Sequence, residues 1–418
     1  MSEPLRVTFC AYDFPNYVGG PNAWLLRLLP QLGSLGIDCS VLFLTLDAEN
    51  SPTAEALLKS GIPSKAFPFT QTTRKKIQWI LGCVAENPPH VFVPNLVIPA
   101  YFAAGWVRAA GIPTVGILHS DDSFYHAIVD EFSSKEDFFR VSSLVCVSEY
   151  LMQSVRDKAS PKTSVHYVPY GVPVPPETAS QPDEDLKVIY VGRLEEEQKR
   201  ISEVTRAFCE MVRQVPGTCA KIYGDGPAKT SIAKILQEED KLGRVEIMGR
   251  VPSDEIQSHI SQNHVVVLLS DYEGLPIALL EAMACGLVPV CLNISSGIPQ
   301  LVKNGETGLL VSDRGKSFVS AIKSIKASRE TWQSLSQSAR NMIIESYSDK
   351  ACADHWEAIL RKLADECSST TIVDLHASKK LPLVRREFVR EDFRGHHLLF
   401  RGLNKVDRVL RKLANHLR

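Results

Sequence analysis

Three features of the sequence predict two doubly wound α/β domains facing a common cleft. Short β-branched runs alternate with amphipathic stretches through most of the 418 residues, the pattern of βαβ units and parallel sheets. A proline-rich, apolar-poor segment, PVPPETASQPDED (173–185), interrupts that alternation and reads as a linker. The alternation then restarts with a fresh strand, LKVIYVG (186–192). Open α/β sheets bind ligands beyond the carboxyl ends of their strands, so two such domains place their site in the crevice between them.

In the first domain, 1–172, strands are predicted at 5–11, 38–44, 90–95, 114–118 and 143–148, with helices at 22–35, 73–86 and 98–110. In the second domain, 186–346, the strands are LKVIYVG, CAKIYG, RVEIMG, HVVVLLS, LVPVCL and TGLLV. Helical stretches follow at 315–327, 330–346 and 349–365, and the segment 347–365 is expected to cross back to the first domain. Residues 366–418 form a less regular tail.

A net charge of −1 gives the chain no general pull toward nucleic acid, and none is expected as a partner. The balance is uneven, because residues 367–418 carry 12 Lys+Arg against 5 Asp+Glu. The ten cysteines form no C-x-x-C pair, and several lie in apolar strand runs, where a free thiol behaves as a small hydrophobe. A reducing, cytoplasmic setting is therefore expected. The start, MSEPLRVTF, has no signal-peptide pattern, and no apolar run approaches the roughly 20 residues that span a bilayer.

The segment SDYEGLPIALLEAMACGLVPV (270–290) carries the most chemistry. A buried strand ends at Ser270, a turn holds Glu273 and Gly274, and a helix is predicted over 275–285. Glu281 lies six residues into that helix, a rise of about 9 Å. Two carboxylates flanking a helix N-terminus suit a ligand with hydroxyls at both ends and an anion between them, as in a nucleoside diphosphate sugar. The free N–H groups and partial positive charge of the helix end suit the diphosphate. The competing reading makes Glu273 a helix cap and Glu281 a solvated charge. Against it, Ile277, Ala278, Leu280, Ala282, Met283 and Ala284 make the helix apolar nearly all round, so Glu281 should be buried and partnered.

Cations should answer the diphosphate. VGRLEEEQKR (191–200) supplies Arg193 at a strand end and Lys199 six residues on. Surface pairing of both with Glu195–Glu197 is the alternative. Tyr223-Gly224-Asp225-Gly226-Pro227 is a turn in which Gly224 would let backbone approach a ligand, or else an ordinary strand-to-helix turn. Gly19 and Gly20 open the first helix, the place for a phosphate-cradling turn, without the spacing of a dinucleotide fingerprint. His119 follows strand TVGIL with Asp121 and Asp122 behind it, either structural or beside the reacting sugar.

Taken together these segments resemble the retaining glycosyltransferases of family 4, which have the GT-B fold of two Rossmann-like domains. The resemblance covers roughly residues 5–365 and rests on GlyGly, His119, PYGVPVP (169–175), VGRL…K (191–199), YGDGP (223–227), MGRVP (248–252), EGLPIALLE (273–281) and NGETGLLV (304–311). It implies that Arg193 and Lys199 bind the donor diphosphate, that Glu273 contacts the donor sugar, and that Glu281 holds the ribose. It places Arg250–Val251 at the base, Gly20 and His119 near phosphate and sugar, and Gly274 and Leu275 in the donor-binding turn. It further implies a UDP-, GDP- or ADP-sugar donor and a hydroxyl acceptor (glycan, lipid-linked or small molecule). No metal or other cofactor is expected, and retention would proceed by front-face attack with the leaving phosphate taking the proton. Gln300 departs from the pattern, where a glutamate is common.

Two other functions compete. One is a glycogen-synthase- or phosphorylase-like enzyme of the same fold, although phosphorylases are much longer and carry pyridoxal phosphate. The other is an inactive GT-B partner subunit, in which losses among Arg193, Lys199 and Glu273 would be expected. In the tail, Leu399, Leu403, Val406, Leu410, Leu413 and Leu417 form one helical stripe opposite Arg401, Lys405, Arg408 and Lys412. That helix could pack on the protein, lie on an anionic membrane surface, or form a short coiled coil.

Overall fold

The computed structural model describes residues 4–14, 20–46, 51–252, 255–366, 381–382 and 385–391. Gly19 and the stripe at 399–417 lie outside them. The first domain runs β1 (Leu5–Asp13), α1 (Gly20–Ser34), β2 (Ile37–Thr45), α2 (Pro52–Lys59), β3 (Ser64–Pro68), α3 (Thr73–Glu86) and β4 (Val91–Val93). It continues with α4 (Ile98–Ala109), β5 (Val115–Leu118), α5 (Ser123–Phe132), β6 (Ser143–Cys146), α6 (Glu149–Arg156) and β7 (Ser164–Tyr167). All pairings are parallel, in the orders β3-β2-β1-β4 and β5-β6-β7, and a parallel bridge between Phe92 and Thr114 joins the two sheets.

The second domain holds β8 (Leu186–Val191), α7 (Ile201–Gln214), β9 (Thr218–Tyr223), α8 (Lys229–Glu239), β10 (Val245–Gly249), α9 (Ile256–Ile260) and β11 (Val265–Leu268). After these come α10 (Ile277–Ala284), β12 (Val288–Leu292), α11 (Ile298–Leu301), β13 (Leu309–Val311), α12 (Lys316–Ala327) and α13 (Arg329–Ser346). Its parallel sheet has the order β10-β9-β8-β11-β12-β13. Strands β11 and β12 are buried at every residue, as expected of central parallel strands covered by helices on both faces.

The proline-rich segment lies along the second domain, where Ala179 donates its N–H to the Cys285 carbonyl and Arg340 donates to Pro175. Helix α14 (Asp349–Asp365) packs on the first domain. Its Trp356 is buried with its ring 5.6 Å from that of Trp24 in α1 and 6.4 Å from that of Phe9 in β1. The crossing is tight: a Cβ at Gly171 would lie 2.7 Å from the Cys352 side chain and 2.8 Å from the Asp349 backbone. A final short helix, α15 (Arg386–Glu391), sets Phe388 against Phe124 and Phe132 of α5.

Candidate active site

The site forms where the carboxyl ends of β4 and β5 meet those of β8 and β11. Only two non-glycine residues among those described have positive φ, Leu96 and Arg200, and each follows a residue of the site, Asn95 and Lys199. Backbone held in this sparsely populated region is costly and tends to persist where function requires it.

Glu273 is 5% exposed and is not a helix cap; the N-cap position of α10 is Pro276, and no side chain caps that helix end. Its Oε1 pairs with Lys199 Nζ at 2.5 Å, and its Oε2 accepts from Gln198 Nε2 at 3.3 Å. Gln198 also donates to the Tyr272 carbonyl at 2.8 Å, and its Oε1 accepts from Arg193 Nη2 at 2.9 Å. Arg193 makes a second contact, 3.0 Å from Glu195, and its side chain is half exposed. The two expected cations thus meet the carboxylate differently: Lys199 directly and deeply, Arg193 through Gln198 at the open side. Gln198 was absent from the sequence expectations, since a glutamine in the charged run EEEQKR reads as surface.

Glu281 is 7% exposed, as the apolar helix around it predicts, and its partner comes from the other domain. Arg27 of α1 donates Nη2 to Glu281 Oε1 in an ion pair across the cleft. Sequence reasoning missed Arg27, although its signal was present: one arginine inside the apolar run WLLRLL calls for a compensating carboxylate.

His119 lies 7% exposed with both ring nitrogens engaged, Nε2 with Asn95 Oδ1 at 2.5 Å and Nδ1 with the Tyr170 hydroxyl. Tyr170 stacks on it at 5.7 Å and Trp24 meets it edge-on at 5.6 Å. Burial lowers its pKa from 6.5 to about 3, so the ring is neutral at ordinary pH and can donate or accept one hydrogen bond but carries no charge.

The glycines show where the domains touch. A Cβ at Gly274 would stand 2.2 Å from the His119 carbonyl oxygen, and one at Gly297 would stand 2.0 Å from the Gly274 carbonyl oxygen. The turn before α10, with buried Leu275 next in line, therefore abuts the end of β5 backbone to backbone. Gly20, at the start of α1, faces Ile277 at the start of α10, 3.7 Å from a notional Cβ. Two helix N-termini consequently converge beside the ion pair of Lys199 and Glu273. Gly224 has φ +146°, and a Cβ there would lie 1.9 Å from the Gly192 carbonyl oxygen, so its freedom serves the packing of the 192–194 loop. Val251 is half-buried beyond β10. Gln300 bonds instead to the Glu149 amide at 2.9 Å and to Tyr167 at 3.0 Å, tying α11 to the first domain. Among the described residues no three His, Cys, Asp or Glu side chains group to hold a metal ion, and no helix is long and apolar enough to cross a membrane.

Residues 176–342 match the family described as glycosyl transferases group 1. The chain is 25% identical over 322 residues to WcaL of Salmonella typhimurium, a protein named for colanic acid biosynthesis, across 72% of this chain and 78% of that one. To the N-acetyl-alpha-D-glucosaminyl L-malate synthase of Bacillus anthracis it is 29% identical over 163 residues, 38% of this chain and 42% of that one. The fold is shared with HepE of Anabaena, solved in complex with UDP, at TM-score 0.68 and 16% identity over 86% of this chain and 100% of that one. It is also shared with a glycosyltransferase of Rickettsia africae, at TM-score 0.70 and 12% identity over 86% of this chain and 98% of that one. The protein is a glycosyltransferase with the GT-B fold, whose second domain matches glycosyl transferases group 1.

Proposed function

We propose that this glycosyltransferase moves a sugar from a nucleoside-diphosphate sugar to a hydroxyl acceptor with retention of configuration and without a metal ion, as in the retaining enzymes of family 4. The observation that carries the reading is the pair of half-buried Lys199 with buried Glu273 beside the uncapped start of α10, with Glu281 eight residues on and also buried. A diphosphate at that helix end would meet free N–H groups, the Lys199 ammonium and, after a rotation of its half-exposed side chain, Arg193. The sugar would then lie at Glu273 and the ribose at Glu281. Because such HepE structures were solved with UDP and with UDP-glucose, UDP heads the donor candidates, with GDP and ADP after it.

The leaving phosphate is the proton acceptor in this scheme. His119 is held neutral with both nitrogens bonded, and Glu273 is committed to Lys199 and Gln198. A departing diphosphate oxygen on the attacked face gains negative charge as the glycosidic bond breaks, and can take the acceptor's proton there. The basic tail, 366–418, would bring the enzyme to an anionic membrane surface where lipid-linked acceptors reside.

The two glutamates provide the test. Ribose contacts are equal in ground and transition states, whereas charge develops at the sugar ring. Glu281→Gln should raise donor KM with little change in kcat, and Glu273→Gln should do the reverse. Swapped signatures would reverse the donor along α10.

A further inference from the structure

The ion pair across the cleft brings a residue of the first domain into the donor site. Arg27 Nη2 is bonded to Oε1 of Glu281, while Oε2 has no hydrogen-bond partner among the described residues. Arg27 Nη1 is buried and also lacks a partner. A buried N–H left unsatisfied costs free energy that a ligand oxygen would recover. The ion pair thus carries one carboxylate oxygen and one N–H that the described residues leave without a partner. A vicinal pair of hydroxyls, which can donate through one O–H and accept through the neighbouring oxygen, matches that arrangement.

We propose that Arg27 completes the ribose subsite from the opposite domain, orienting the Glu281 carboxylate and offering Nη1 to a ribose hydroxyl oxygen. This rests on the assignment of Glu281 to ribose. Selectivity for ribonucleotide donors then depends on both domains, and closure of the cleft assembles the subsite.

The charges around Glu281 make Arg27 decisive. Facing it are Arg27 from α1 and Asp349 from α14, with Cys285 on its own helix and Arg340 of α13 beyond that thiol. Burial raises the Asp349 pKa, with Arg27 opposing that rise and Glu281 adding to it. The Cys285 thiol is pushed up to about 12 by burial, with Glu281 adding. Arg27 is the one cation bonded to a carboxylate in this group. Without it Glu281 would be a buried carboxylate beside a second one, stripped of its ion-pair partner.

The test is calorimetric binding of UDP, GDP and ADP, and of the 2′-deoxy form of whichever binds, to wild type, Arg27→Met, Arg27→Lys, Glu281→Gln and Arg27→Met/Glu281→Gln. Wild type should prefer the ribonucleotide over its 2′-deoxy form. Arg27→Met should bind the ribonucleotide roughly tenfold more weakly, the equivalent of about 1.4 kcal/mol in a charge-assisted contact. It should lose the ribose preference. The double variant should bind no more weakly than either single one. Arg27→Lys, which keeps the charge but not the fork, should fall between wild type and Arg27→Met. A merely structural Arg27 would change the unfolding temperature and leave ribose preference as in wild type; that result overturns the proposal. If Arg27→Met does not fold, Arg27→Lys decides, since equal affinity and equal ribose preference there would also overturn it. Should Glu281→Gln itself keep full affinity and preference, the ribose assignment beneath the proposal is what fails.

Discussion

Gly274→Ala should remove most turnover while leaving both domains folded. The added methyl would stand 2.2 Å from the His119 carbonyl oxygen and 2.9 Å from the backbone of Ser120, neither of which is the end of a flexible side chain. Restoring an ordinary contact requires the turn before α10 to retreat by about 1 Å, and a misplacement of that size at a reacting centre costs roughly 10²-fold in rate. Glu273 is the adjacent residue and Lys199 is bonded to it, so the whole sugar end of the site moves with the turn. The assay is nucleotide release under saturating donor, alongside thermal unfolding. Gly243→Ala is the control: it also introduces a side chain, at φ +61° and with nothing within 4 Å, and should cost about 1 kcal/mol of stability without loss of rate. A Gly274→Ala enzyme within threefold of wild-type kcat would refute the reasoning that this backbone contact sets the geometry of the site.

Lys199→Met should lower kcat by roughly 10²–10³, as losing one stabiliser of developing charge typically does. It should also destabilise the fold by about 3–5 kcal/mol, because it strands a buried carboxylate; adding Glu273→Gln should recover stability without activity, as chemical denaturation and turnover would show. The His119 pKa is lowered from 6.5 to about 3, so the unfolded chain takes up a proton that the folded chain refuses. Stability should therefore fall as pH drops below 6.5, by up to roughly 1.4 kcal/mol per pH unit from this group, and His119→Asn should flatten that slope in urea titrations between pH 7 and 5. Deleting residues 398–418 should abolish sedimentation with anionic vesicles and preserve turnover of a soluble acceptor; a full-length protein that stays in the supernatant contradicts the membrane reading.

The second domain was legible almost strand by strand: β11 and β12 are continuous apolar runs, as parallel strands covered on both faces must be, and the edge strand β10, VEIMG, alternates exposed with less exposed residues. In the first domain the edge strands β3 and β7 were not. SKAFP mixes half-buried and exposed residues with none fully buried and includes a lysine and a proline, and SVHY holds a single aliphatic residue. Both lie at the outer limits of their sheets, where solvent relaxes the apolar requirement. Of the site, Glu281 could be read from local context, since it is a charge on a helix whose burial the sequence predicts, while Glu273 and Lys199 were singled out by their places just beyond strand ends. The pairings could not. Arg27 reaches Glu281 from 254 positions away, and Lys199 reaches Glu273 from 74. No local pattern encodes which cation answers which carboxylate. At Gly224 the sequence left open a ligand-facing turn or an ordinary strand-to-helix turn, and the Gly192 carbonyl, 1.9 Å from a notional Cβ, gives a packing reason for glycine there.

The central claim is that Lys199, Arg193 and the start of α10 hold a nucleoside diphosphate without a metal ion. Titration calorimetry with UDP, GDP and ADP in the presence of EDTA tests it directly, with wild type set beside Arg193→Ala and Lys199→Met. One of the three nucleotides should bind wild type with unchanged affinity after chelation, and both variants should lose at least tenfold, the worth of about 1.4 kcal/mol in a charge-assisted contact. Binding that vanishes with EDTA and returns with Mg²⁺ or Mn²⁺, or variants that bind as wild type does, would contradict the account.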